Sequence, residues 1–281
     1  MPKYDRDHNK HREKSRKFHD RVASRYDSIY DDAYWDFHDR ITWNHLKPFL
    51  PTDLTAPVMD LGTGTGKWGL KLLKAGYPTT FTDLSQNMLQ EVRKKLEVWS
   101  EQPDLAAKVA RATVQHADAV DLAAFPQAHF QLVTAMGDVV SICSDPAACI
   151  SQVHRLLKPG GIFVFTVDNY LAAIDHFIES GNLKALASFI KTGQTEWLTK
   201  NVDERFKVHM FTPREIEALV RRNGYEVISA IGKTVIPARR NRKLLEDDRA
   251  VESLVELETL LQKEPAALGR ASHVQMAVRK V

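Results

Sequence analysis

Three glycines at alternate positions follow an acid in the run Val58-Met59-Asp60-Leu61-Gly62-Thr63-Gly64-Thr65-Gly66-Lys67-Trp68. Glycine takes positive φ without steric cost and lets a ligand reach main chain that a Cβ would cover. An apolar strand that feeds such a loop and then a helix is a way of building a nucleotide cleft at the end of a parallel sheet. A second run, Thr79-Thr80-Phe81-Thr82-Asp83-Leu84, reads as a strand that ends in another acid. At that distance the Asp83 carboxylate can take both hydroxyls of a ribose lying over the glycines. Polar groups recur after later apolar runs, at His116-Ala117-Asp118-Ala119, Gly137-Asp138 and Asp168-Asn169-Tyr170. His209 stands just before a predicted helix, where it could act as a base near neutral pH or be an ordinary packed or surface histidine.

The elements that must position these residues alternate. Strands are predicted at 58–61, 79–83, 109–115, 130–136, 162–167, 225–231 and 274–278. Ser85 is a good N-cap for a helix carrying Met88, Leu89, Val92 and Leu96 on one face. Gly76 and Gly224 are helix stops, and Pro213 is a helix start. Helix also covers about 146–157, ended by Lys158-Pro159-Gly160-Gly161. Before the first strand, Phe18, Val22, Tyr26, Ile29 and Tyr30 fall at helical spacing, and Ile41, His45 and Leu46 continue a helix that Pro48 and Pro51 close. These two helices can fold over the cleft, with Tyr26, Tyr30 and Trp35 either facing it or packing in the core. Residues 170–208 read as helical and are not needed to complete the sheet. Residues 237–270 read as a charged helical excursion.

Strands alternating with helices predict an α/β, Rossmann-like fold. Four parts are expected: N-terminal helices at 1–50 closing the cleft, a core at 51–169, a helical cap at 170–208, and the rest of the sheet with its excursion at 209–281. The seven basic residues Lys3, Arg6, Lys10, Arg12, Lys14, Arg16 and Lys17 are expected in a solvated, partly frayed tail or a polar helix start rather than in an anion-attracting arm. A net charge of +3 over 281 residues is too small a field to name nucleic acid or an anionic membrane as the main partner. No run approaches the roughly 18 apolar residues of a membrane span. Two cysteines, Cys143 and Cys149, suggest neither a disulfide framework nor a structural zinc, and fit a cytoplasmic protein.

A glycine-rich turn alone also suits nicotinamide enzymes. Here the spacing is G-x-G-x-G, Asp60 precedes it, and the closing order of turn, strand, helix, strand, excursion and strand suits a seven-stranded, mostly parallel sheet with a reversed last strand. On these pieces, together with Ala117-Asp118, Leu156-Leu157-Lys158-Pro159-Gly160-Gly161, Phe211-Thr212-Pro213 and the entrance segment Arg21-Val22-Ala23-Ser24-Arg25-Tyr26-Asp27, the chain resembles class I S-adenosylmethionine-dependent methyltransferases. It is most similar to their small-molecule branch of ubiquinone- and glycine-type enzymes. The resemblance implies S-adenosylmethionine as cofactor. Gly62, Thr63 and Gly64 would pass under its methionine part and Asp60 would hold its amino group. Asp83 would bind the ribose, with Leu84 and Met88 against the adenine. Asp118, with Ala119 beside it, would accept from the adenine amino group. Met136 and Gly137 would line the sulfonium, and Tyr26 would close the entrance.

Methyl transfer needs acceptor atom, methyl carbon and sulfur nearly in line. A neutral amine needs little more, whereas a hydroxyl or carbon acceptor usually needs a base. Tyr26, Asp168, Tyr170 and His209 are the candidates for that part. Asp138 with Asp168-Asn169 is similar to the magnesium site of catechol-type enzymes, but the entrance helices match the metal-free branch, and no metal is expected. The expected partner is a small molecule, with no nucleic acid and no membrane, and a homodimer is admitted. Intramolecular cyclisation of the cofactor's aminobutyl chain, or a regulatory protein that only binds the cofactor, are the alternatives.

Overall fold

The computed structural model describes residues 3–197, 199–262 and 264–281, so the first two residues of the basic segment lie outside the description. The rest of that segment takes the second of the two expected forms, a polar helix start. Lys3–Val22 is one helix, α1. Arg16 pairs with Glu13 and Asp20 at helical spacing, and Val22 and Ala23 are buried against Met88. A one-turn α2 (Tyr26–Ile29) leads to α3 (Ala33–Leu46). Asp32 caps α3, its carboxylate accepting from the Trp35 amide at 3.0 Å.

The first half of the sheet follows. In order come β1 (Val58–Leu61), α4 (Lys67–Ala75), β2 (Thr79–Asp83), α5 (Gln86–Ser100), α6 (Pro103–Val109) and β3 (Ala112–His116). The short α6 is not in the predicted order. Pro103 starts it and Asp104 sits in its first turn, both favourable at a helix N-terminus, and β3 begins three residues late in consequence. Then come β4 (Phe130–Ala135), a one-turn α7 (Val139–Ile142), α8 (Pro146–Leu156) and β5 (Leu157–Asp168). β5 already includes the Lys158–Gly161 turn, pairing with β4 through a register shift between Phe130 and Leu132.

The predicted all-helical segment 170–208 is half helix. After α9 (Tyr170–Glu179) and α10 (Leu183–Thr192), β6 (Gln194–Glu196) and β7 (Lys207–His209) form a small antiparallel ribbon of their own. Its position lets Trp197 and Phe206 stack at 6.0 Å and meet Phe18 of α1. The chain ends its described course with α11 (Pro213–Arg222), β8 (Tyr225–Lys233), two 3-10 turns, α12 (Asp248–Leu261), α13 (Ala267–Arg270) and β9 (His273–Lys280).

The seven-stranded sheet has the order β3-β2-β1-β4-β5-β9-β8. β9 runs antiparallel to both neighbours and the other contacts are parallel, which is the expected reversed last strand. Alternate residues of each central strand face opposite layers, as strand geometry requires. Met59, Val133, Phe163, Phe165, Met276 and Val278 pack on α8 and α11 through Ile150, Val153, Ile216 and Val220. Val58, Leu132, Val164 and Ala277 pack on α3 and α4 through Leu46, Trp68 and Leu72. With both faces covered, the strands read as continuous apolar runs and only their ends are free for polar groups.

Candidate functional site

The loop between β1 and α4 carries Gly62 at φ +62° and Gly64 at φ +56°. Nothing stands nearer than 3.8 Å to where a Gly64 side chain would begin, and that neighbour is the Tyr26 ring. The loop is held from behind. Asp60 is buried, and its carboxylate accepts from the Thr134 hydroxyl at 2.8 Å, the Gly69 amide at 2.8 Å and the Thr63 hydroxyl. Burial pushes its carboxyl up to about 6, against the pull of those donors. Asp83, at the end of β2, accepts from the Gly64 and Ser85 amides, each at 2.8 Å. Burial raises its carboxyl above the ordinary range.

These residues open on a cavity of about 610 Å3. Asp60, Gly62, Thr63, Gly64, Asp83, Leu84, Asp118, Ala119, Met136, Gly137 and Tyr26 all line it. α1 forms its roof with His11, Arg12, Ser15, Phe18 and His19. Arg12 pairs with Asp118 at 2.7 Å, the His11 ring meets the Ile142 carbonyl at 2.7 Å, and Asp20 accepts from Ser85 Oγ at 2.6 Å. Arg21 pairs with the buried Glu204 beside the β6–β7 ribbon. The polar helix is therefore fastened over the strand ends by ionic contacts, which no apolar period could have announced.

One wall of the cavity is a file of rings. Tyr26 meets Tyr30 at 4.9 Å, Tyr30 meets Trp35 at 4.9 Å, Trp35 meets His38 at 5.2 Å, and His38 meets His273 at 5.3 Å. Where the file ends, His273 Nε2 lies 3.7 Å from Asp168 Oδ1 and 3.8 Å from Asp138 Oδ2. Burial, and then the neighbouring Asp138, lift the Asp168 carboxyl well above the carboxylate range. Burial lowers His273, against the attraction of Asp138. Lys233 of β8 is fully buried, feels both carboxylates, donates to Thr42 Oγ1 at 3.2 Å and is lowered by burial to about 8. Donor atoms of Asp138, Asp168 and His273 lie within 4.8 Å of one another, close enough to share a proton or a divalent cation.

Several expected residues do not reach this place. His209 lies outside the cavity lining. β7 turns it toward the first turn of α11, where Nε2 meets Glu215 at 2.8 Å. Tyr170 starts α9, stacks on Phe189 at 4.8 Å and donates to the Ile190 carbonyl at 3.0 Å, away from the cavity. Met88 is buried beneath the entrance helix instead of lining the cleft. Asn169 is no ligand beside Asp168: its amide donates to the Leu268 and Ala271 carbonyls, both at 2.7 Å, and its oxygen caps α9. The third corner belongs to His273, which sequence reasoning missed. Only its register opposite Asp168 on the antiparallel strand brings it there, and no sequence signal marks that register. Lys233, opposite the same histidine in β8, was missed in the same way.

A family model described as a methyltransferase domain matches residues 34–230. The tRNA 5-carboxymethoxyuridine methyltransferase of Escherichia coli is 23% identical over 264 residues, covering 91% of this chain and 94% of that protein. A ubiquinone/menaquinone biosynthesis C-methyltransferase of Acidiphilium cryptum is 28% identical over 229 residues, 78% of this chain and 85% of the relative. The crystal structure of an S-adenosylmethionine-dependent methyltransferase from Methanosarcina mazei superposes with a TM-score of 0.59 at 18% identity, over 84% of this chain and 97% of its own. At that identity the likeness speaks for the fold.

Proposed function

Because the chain belongs to the methyltransferase-domain family, as a class I enzyme that uses S-adenosylmethionine, we propose that it methylates a small molecule bound between the file of rings and the Asp138–Asp168–His273 cluster. One observation carries this reading. The glycine loop with Asp83 and the acid–histidine cluster open on the same cavity. The residues present fit the cofactor: bare main chain at Gly64, a carboxylate at the end of β2, and room for both a nucleoside and an acceptor. When bound, the cofactor supplies an electrophilic methyl group and its own leaving group.

The chain's residues then have separable tasks. Asp83 grips the ribose diol, and Leu84 and Ala119 flank the adenine. Asp118 can offer the adenine amino group one oxygen while Arg12 holds the other. Asp60 spends its oxygens on Thr63, Gly69 and Thr134, so its task is to hold the loop shape and to place negative charge behind an ammonium group. Met136, whose carbonyl accepts from the Thr166 hydroxyl at 2.8 Å, lines the side of the cavity assigned to the sulfonium. Tyr26, Tyr30 and Trp35 exclude water and set the acceptor's approach, and alignment of that kind can replace a large entropic barrier. His273 takes the proton that an O–H, N–H or C–H acceptor must lose, and the neighbouring Asp138 favours the resulting charge.

tRNA is the substrate in the name of the Escherichia coli relative. Here the α1 roof, the ribbon beside it and the small net charge support a free small molecule instead. No helix among the described residues is long and apolar enough to cross a membrane, and the free thiols Cys143 and Cys149 fit a reducing cytoplasm. Methyl-labelled cofactor and a cell extract test the reading: label should appear in molecules below a few kilodaltons, and label in RNA would sink the small-molecule assignment. In a separate calorimetric titration Asp83→Ala should weaken cofactor uptake by about 2–3 kcal/mol, roughly a hundredfold in Kd. Unchanged uptake would remove the ribose role.

A further inference from the structure

A second cavity of about 470 Å3 adjoins the first, and Tyr34, Arg239 and Ser272 line both. The far side of this shared wall is well supported. The buried Glu258 of α12 accepts from the Val235 amide at 2.6 Å and the Ile236 amide at 3.0 Å, which holds the segment leading to Arg239 in place. Three arginines stand in this short stretch. Arg240 faces Asp175 at 3.7 Å and Arg242 donates to Asp32 at 2.8 Å. Arg239 alone has no carboxylate at ion-pair distance among the described residues. Its guanidinium instead lies over the Tyr34 ring, 5.3 Å from the centroid. Stacking on a ring leaves the planar fork of donors free at its edge, the geometry that takes a carboxylate or phosphate by two parallel hydrogen bonds. Arg239 lines the first cavity together with Asp138, Asp168 and His273, so the guanidinium and the proton-handling cluster face one space.

We propose that the acceptor carries an anionic group, carboxylate or phosphate, set apart from the atom that is methylated, and that Arg239 holds this group at the wall between the two cavities. The proposal rests on the methyl-transfer reading of the first cavity and narrows its acceptor class. Arg239 is exposed and stacked on Tyr34, so a neutral acceptor would leave its fork of donors to water. An anionic one answers it and is turned with its other end toward His273. The second cavity gives room to whatever follows the anion.

The test is calorimetric titration of the protein saturated with S-adenosylhomocysteine, using benzoate, phenyl phosphate and the neutral benzyl alcohol as probes. At least one anion should bind more tightly than the alcohol, and the stronger of the two identifies the group. Arg239→Gln should reduce that preference tenfold or more and Arg239→Lys should keep part of it. Arg240→Gln, whose guanidinium already faces an acid, should change it less than twofold. Uptake of S-adenosylhomocysteine by each variant reports that the fold and the cofactor site are intact. No anion preference in the unmodified protein, or a preference that survives Arg239→Gln, overturns the proposal alone. Failure of the unmodified protein to take up S-adenosylhomocysteine would sink the underlying reading and the proposal with it.

Discussion

The proposed base His273 sits beside Asp138 at the start of α7 and Asp168 of β5, with Lys233 of β8 opposite it. Burial and the nearby Asp138 hold the Asp168 carboxyl well above the carboxylate range, while burial lowers His273. Burial lowers the imidazole, and a base works in its neutral form. A lower pKa therefore keeps it available further into acid, and the acidic limb of kcat/KM should lie below the ordinary histidine value of about 6.5. His273→Gln should cost about 10²- to 10⁴-fold in kcat, abolish that limb and leave the Kd for S-adenosylhomocysteine within a factor of roughly two. A limb that persists in the variant would give the base role to another group. The glycines, Asp83 and Asp168 were legible in the sequence because each closes an apolar run. His273 and Lys233 were not, because their partners lie over a hundred residues or one strand away and only strand register brings them together. His209 looked equally suitable by type and spacing, and pairing with Glu215 takes it elsewhere.

At the scale of elements, α4 presses unusually close to β2. A Cβ on Gly69 would stand 2.4 Å from the Phe81 ring and 3.0 Å from Asp60. Replacing glycine by alanine inside a helix ordinarily stabilises by about 1 kcal/mol. Here overpacking should reverse the sign: Gly69→Ala is expected to cost about 1–3 kcal/mol, a fall in Tm of roughly 2–10 °C for a chain of this size. Scanning calorimetry reads it directly, and a rise in Tm would show that the helix can shift outward. The strand and helix order was legible because caps and glycine stops mark it: Ser85 accepts from Met88, Thr212 from Glu215, and Gly76 ends α4 at φ +108°. The β6–β7 ribbon was not, since three-residue strands carry too little alternation to separate from helix.

At the scale of the molecule, the basic helix α1 contributes His11, Arg12, Ser15, Phe18 and His19 to the cavity lining. Arg12 and Asp20 tie α1 to Asp118 and Ser85, and such partly exposed contacts contribute about 0.5–1 kcal/mol each. Arg12→Ala combined with Asp20→Ala should speed release of S-adenosylhomocysteine by roughly 5- to 30-fold, measured by stopped-flow fluorescence. An unchanged release rate would mean that α1 does not gate the exit.

The sheet has a further consequence, for synthesis. β9 is inserted between β5 and β8, although it is made after both. While a growing polypeptide has not yet delivered residues 273–280, the apolar run Ile162–Val167 has an open border, and β8 has no strand to pair with. Exposed borders of that kind invite pairing with other molecules. An mRNA cut short before codon 273 is therefore expected to yield a sticky, inactive product rather than a weakened enzyme, and a ribosome that pauses late would prolong the same hazard.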